Sequence, residues 1–292
     1  MTSGYPAYPN PTITEAVCDI HFRLPQEKEW KPSFPGEFFK HIQNEYPEME
    51  PVLEMGLQFE FGPLGTGTKF VPQRQKVRFK HGTRPLILQL AENSLSVSTL
   101  SPYQGWEVMR RDVLAAWQRV EEVLQPEVMN RIGLRYINRI NKETEQDRPG
   151  TWLVANDYIS ADLLRSEPGF LLREEIHLDA ENILIITLGD PKSDLDAGHR
   201  AIIFDIDRIV EREVPTGQEV LEQEMDRLHA DVWEVFSSAK GEKLEALLKK
   251  NRALIQLLRS WREGDEQEQR STWEYLKQAL DEDRLSERKL FP

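Results

Sequence analysis

Two groups of side chains in this 292-residue chain have types and spacings that could do chemistry. Glu175, His177 and Asp179 alternate along one stretch, and Asp205 and Asp207 along a later one. Side chains at i and i+2 of a β-strand share a face, so each group presents its polar atoms on one side. Two such strands laid side by side would offer carboxylate oxygens and one imidazole to a divalent cation, the equipment of a metal-dependent hydrolase or nuclease. Antiparallel sheets with one solvated face carry the same alternation routinely. The plainer expectation is therefore a solvated surface, with no cofactor and no catalytic residue implied.

A second pattern is cationic. Arg131, Arg135 and Arg139 fall on one face of a strand with Gly133 and Ile137, while Ile132, Leu134, Tyr136 and Ile140 take the core face. Arg74, Lys76, Arg78 and Lys80 likewise share a face, with Val77 and Phe79 behind them. Were the two strands neighbours, one sheet surface would hold all these cations. Guanidinium forks bind phosphate and carboxylate in bidentate fashion, so an anionic ligand, a nucleotide or an RNA backbone is the functional reading. Neutralisation by cross-strand acids is the structural one.

Other candidates carry less. The run Gly62–Lys69 has the glycines of a phosphate loop but lacks Gly-Lys-Ser/Thr opening a helix, and it reads as a hairpin loop. His229 falls within a long amphipathic helix with nothing nearby in sequence to complete a dyad, and it reads as a packing residue. The single cysteine, Cys18, excludes an internal disulfide and a Cys-rich metal site, and reads as a small core residue.

The elements that must position these groups follow from periodicity. Thr14, Ala16, Cys18, Ile20 and Phe22 alternate with Glu15, Asp19 and His21, which predicts a half-buried strand. A short helix over 36–46 is followed by strands over 54–100, with a hairpin turning at Glu92-Asn93-Ser94. Trp106, Met109, Val113, Ala116, Trp117, Val120 and Leu124 keep helical spacing within 104–124. The charged stretch 141–150 marks a boundary. Strands are predicted at 170–178, 182–188 and 200–210, then a helix over 220–236. The expected architecture is α+β: an N-terminal strand-rich unit, 1–145, and a second, 146–250, each an antiparallel sheet covered by its own long helix. A helical appendage, 251–292, completes the chain. There Trp261, Trp273, Leu276 and Leu280 are aromatic and apolar anchors that could dock in a partner groove.

Composition limits the partners. The formal charge of −13 argues against sequence-independent coating of nucleic acid. Residues 141–250 hold 13 basic and 25 acidic side chains, whereas 61–140 hold 12 basic and 6 acidic. No apolar run reaches the length of a membrane-spanning helix and no export signal is legible, so the expected location is the cytoplasm.

Three separated segments, Pro11 to Ala16 (with one extra residue before Glu15), Arg135 to Arg139 and Leu228-His229, resemble a sporadically distributed prokaryotic family of uncharacterised proteins. The resemblance spans roughly 10–245 and implies a shared fold but no reaction. The tail from about 257, with Ser260-Trp261, Thr272-Trp273 and the ending Asp281 to Pro292, resembles C-terminal segments of small antitoxin-like bacterial proteins. Together these readings favour a non-enzymatic binding or regulatory protein, an antitoxin-like or defence-associated accessory whose partner is another protein. The metal-dependent hydrolase and the RNA or nucleotide binder stand as alternatives.

Overall fold

The computed structural model describes residues 4–250 except 7, 63, 64, 145 and 192–199, together with 270 and 273; over 53–75 the description is of the backbone alone. In chain order the elements are β1 (Ile13–Arg23), α1 (Phe34–Ile42), β2 (Glu48–Gly62), β3 (Gly65–Lys80), β4 (Leu86–Ala91), β5 (Ser94–Leu100) and α2 (Trp106–Leu124). Then come β6 (Val128–Asn141), α3 (Pro149–Trp152), α4 (Ala161–Leu164), β7 (Phe170–His177), β8 (Asn182–Asp190), β9 (Ala201–Val210), β10 (Val214–Pro215) and α5 (Gln218–Ala239).

All the described strands belong to one antiparallel sheet in the order β2-β3-β4-β5-β1-β6-β9-β8-β7, with β10 pairing β6. The two strand-rich stretches, whose sharing of a sheet periodicity leaves open, are joined in one. The seam is the pairing of β1 with β6, which aligns Cys18 with Leu134 and Asp19 with Gly133. On each side of that seam the first strand is rejoined by the last of the strands that follow it, β5 on β1 and β9 on β6. Long strands rich in alternating apolar residues could not bury one face in isolation; side by side they form one continuous apolar layer.

That layer is covered by α2 and α5. Met225 of α5 reaches the Cys18 thiol at 3.8 Å, Met109 of α2 approaches the Tyr136 hydroxyl at 3.8 Å, and the Trp117 ring meets Phe22 edge-on at 5.8 Å. Cys18 is fully buried there, and burial raises its thiol pKa, so it is an unreactive core residue as its place on the strand predicts. Each long helix starts behind a glycine with positive φ, Gly105 at 103° and Gly217 at 134°, a turn that a side chain would strain. Gln125, in the left-handed conformation at φ 48°, and Pro126 end α2. The helices are tied to each other: the Trp106 indole donates to Asp226 at 2.9 Å, and Arg110 donates to both oxygens of the same carboxylate at 3.1 and 2.8 Å.

His229 packs in this layer, with its ring parallel to Trp106 at 4.2 Å and edge-on to Tyr5 at 4.5 Å. Its buried Nδ1 has no hydrogen-bond partner among the described residues, and burial lowers its pKa to about 4. No helix among the described residues is long and apolar enough to cross a membrane. The chain divides into two compact units, one of Met1–Tyr5 with Pro11–Leu244 and one of Pro6–Asn10 with Glu245–Pro292. In the second, Asn10 donates through its side chain to the Leu247 carbonyl at 3.2 Å and through its backbone to Leu248 at 3.3 Å. The tail anchors Trp261, Leu276 and Leu280 lie outside the described residues, and Trp273 is helical and 46% exposed.

Candidate functional site

The face of the sheet away from α2 and α5 is where alternation sends the polar side chains, and at its centre β5, β1, β6 and β9 lie side by side. Register decides which of them meet. Ser96 stands opposite Asp19, Asp19 opposite Gly133, and Gly133 opposite Ile209, with Arg131 and Arg135 flanking Gly133 on their own strand.

Asp19 is the hub of the first cluster. Its Oδ2 accepts from His21 Nε2 at 2.7 Å and from Arg131 Nη1 at 2.9 Å, and its Oδ1 accepts from the Ser96 hydroxyl at 2.5 Å. Burial works against the Asp19 charge, but the His21 and Ser96 hydrogen bonds and the Arg131 charge outweigh it, and its pKa falls below the ordinary carboxylate value. Arg131 also pairs with Glu211 at 3.4 Å.

The second cluster is one strand further on. Arg135 directs Nε and Nη2 at the two oxygens of Asp205, at 2.9 and 2.7 Å, the bidentate geometry that makes such pairs strong. Asp205 is buried while Arg135 is half-exposed. Asp207 receives no hydrogen bond among the described residues. Burial pushes its pKa up to about 6, against the nearby charges of Arg131 and Arg135 and with help from Asp205 and Asp19. Gly133 is itself buried among these groups: a Cβ there would meet Ile209 Cγ1 at 3.6 Å, Asp207 Oδ1 at 3.8 Å and Arg131 Nη1 at 3.9 Å. Ile183, Ile185 and Ile209 form a small buried apolar cluster on the same face.

The predicted cation sheet is not assembled. The strands β4, β5 and β1 separate β3 from β6, four strand spacings or about 19 Å. Arg78 pairs with Glu50 at 3.1 Å, and Lys80 with Glu50 at 3.3 Å and Glu48 at 3.7 Å. Lys76 and Arg139 are also engaged. The Arg74 side chain lies outside the described residues. Cross-strand acids thus neutralise what alternation alone presents as a cationic surface.

The predicted metal group is not assembled either, because β8 runs between β7 and β9 and puts Ile185 between Glu175 and Asp207. Glu175 pairs with His177 at 3.4 Å on the exposed β7. Asp179 closes the β7–β8 turn, accepting from the Glu181 and Asn182 backbone amides, both at 2.8 Å, and from the Asn182 side chain. Asp205 is occupied by Arg135. Among the described residues no group of three or more His, Cys, Asp or Glu side chains could hold a metal ion.

What the sequence reading passed over is the Asp19, His21 and Ser96 triad around Arg131. Its signal was present in two strands, as the outward Asp19 and His21 of β1 and the alternating serines 94, 96 and 98 of β5. Only the pairing of β5 with β1 and of β1 with β6 brings them together. A scan of the chain against protein-family models finds no match, and a search of curated proteins finds none either.

Proposed function

We propose that the chain is a non-enzymatic binding protein that holds a protein partner on the polar sheet face around Arg135 and Asp207. The observation that carries the reading is the Asp207 carboxylate, which accepts no hydrogen bond among the described residues beside an arginine that holds Asp205 through Nε and Nη2. A partly buried acceptor without a donor is costly to folding, and burial has raised the pKa of this carboxyl beside two arginines, a combination that makes it a candidate binding group. A peptide bond or side-chain amide offers the missing complement: its N–H to Asp207 and its C=O to Arg135. Ser96 and His21 each bond to Asp19 rather than to one another, so they form no nucleophile–base pair of the kind acyl transfer requires. The formal charge of −13 and the pairing of Arg131, Arg135, Arg78 and Lys80 with acids favour a protein over an anionic polymer.

The test begins with cross-linked capture from native cells, identification of the companion and its preparation in pure form. Calorimetric titration then compares the full chain, Arg135→Ala, Asp207→Asn and a chain ending at residue 250. Each point variant is expected to weaken binding by about tenfold or more. Equal affinity of the point variants and the wild type, with loss only in the shortened chain, would overturn the reading and assign the partner to the tail.

A further inference from the structure

At the far edge of the sheet from β2, the strand β7 pairs with β8 on one side and with no described strand on the other. It is exposed along most of its length. Leu171 is 75% exposed and Leu172 42%, and Leu178, one residue beyond the strand, is 46% exposed. The other large exposed apolar side chains among the described residues, Met49, Val154 and Trp273, are scattered through the chain, whereas these three lie on one strand and its turn, Leu172 and Leu178 on the core-side face and Leu171 on the other. Proteins protect free edges with charged side chains, lysine above all, and with proline, bulges or very short strands; the charges of β7 are Arg173, Glu174 and Glu175. The eight residues of β7 contain no proline, glycine or lysine, and they pair with β8 without a register shift. Such an edge admits a strand whose charges complement its own.

We propose that β7 is the seam of a homodimer, in which a second copy of this chain adds its own β7 antiparallel about a two-fold axis passing through Glu174. The sequence of the strand is complementary to itself in that register. Arg173 of each copy stands opposite Glu175 of the other on the polar face, forming two ion pairs in place of the long 3.7 Å pair that the same residues make within one strand. On the opposite face Leu172 meets Ile176 and Phe170 meets Leu178, each twice, extending the apolar layer that begins at their β8 neighbours Leu188 and Leu184. The adverse contacts are Glu174 against its own copy and Leu171 opposite His177, the latter twice. Moving the axis one residue towards the N-terminus sets Arg173 against Arg173 and places Leu171 and Leu172 opposite glutamates. Moving it one residue the other way sets Glu175 against Glu175 and Arg173 opposite His177. The register is therefore specified by charge and by apolar matching together.

Sedimentation equilibrium of the full chain across a concentration series tests this, with circular dichroism confirming that each variant remains folded. The wild type is expected to dimerise in the micromolar range. Arg173→Glu and Glu175→Arg each place like charges across the seam and are expected to weaken the dimer by about tenfold or more. The double variant Arg173→Glu with Glu175→Arg restores it, and Glu174→Gln tightens it. A wild-type chain that stays monomeric at roughly 100 μM overturns the proposal. So does a dimer that both single charge reversals leave intact, or one that the double reversal fails to rescue.

Discussion

Arg135 lies directly across from Asp207 in the β6–β9 register, yet its guanidinium closes on Asp205, two residues away. The diagonal choice satisfies the more deeply buried carboxylate and leaves Asp207 partly buried and without a donor among the described residues. Much of the chemistry available on this face follows from that geometry.

Asp207 should make folding stability depend on pH in a direction opposite to that of most carboxylates. Its pKa is raised to about 6 in the folded chain, against roughly 3.9 unfolded. The folded state therefore binds the extra proton between these values, and stability falls as pH rises through the interval. Asp207→Asn is expected to match the wild type near pH 4 and to exceed it by about 1–3 kcal/mol near pH 7.5, read as urea midpoints at the two pH values. A gain in stability accompanied by lost binding is the pattern of a residue kept for function.

His229 supplies a slope of the other sign in an overlapping window. Its pKa is lowered to about 4 by burial, so the unfolded chain takes up a proton first, and stability is lost as pH falls from roughly 6.5. His229→Phe keeps a ring against Trp106 while removing both the titration and the unpartnered Nδ1. Its stability relative to the wild type should rise by about 2 kcal/mol between pH 7 and pH 4.5, measured as the difference between the two denaturation curves.

The Asp19 hub should behave as structure. Asp19→Ala strands Ser96, His21 and Arg131 on a partly buried surface, and a loss of about 2–4 kcal/mol is expected. Ser96→Ala removes one arm of the network and should cost about 1 kcal/mol. Because the folded pKa of Asp19 is depressed, its contribution is complete above roughly pH 4 and is lost as pH falls through the folded value. Thermal unfolding of the two variants near neutral pH distinguishes the hub from an arm.

Arg135 and Asp205 should be strongly coupled. Arg135→Ala leaves Asp205 buried without its donors, and about 2 kcal/mol of that cost should return when Asp205→Asn is added. A double-mutant cycle read by chemical denaturation gives the coupling directly; additive effects would mean that the pair is not formed in solution.

The sequence made the strands and long helices readable because their burial is local and periodic. Every core-facing residue predicted for β6, from Ile132 to Ile140, is buried, and α2 runs from Trp106 to Leu124 within the predicted 104–124. Alternation also put Arg131, Asp19 and Asp205 on their correct faces. It carries no information about which strand lies beside which. That is why Glu175 and Asp207 looked like partners although Ile185 intervenes, and why Asp19 and Ser96, 77 residues apart, were not connected. The short helices α3 and α4, four residues each, are too brief to show a helical period at all.

Photo-cross-linking locates the partner most directly. A photoreactive residue replacing Ile137, which sits on the polar face opposite Asp205, is compared with one replacing the exposed Gln118 on α2. Binding around Arg135 and Asp207 predicts that position 137 captures the companion protein in native cells and position 118 does not. Capture from 118 with none from 137 would contradict it and move the interface to the helical side of the sheet.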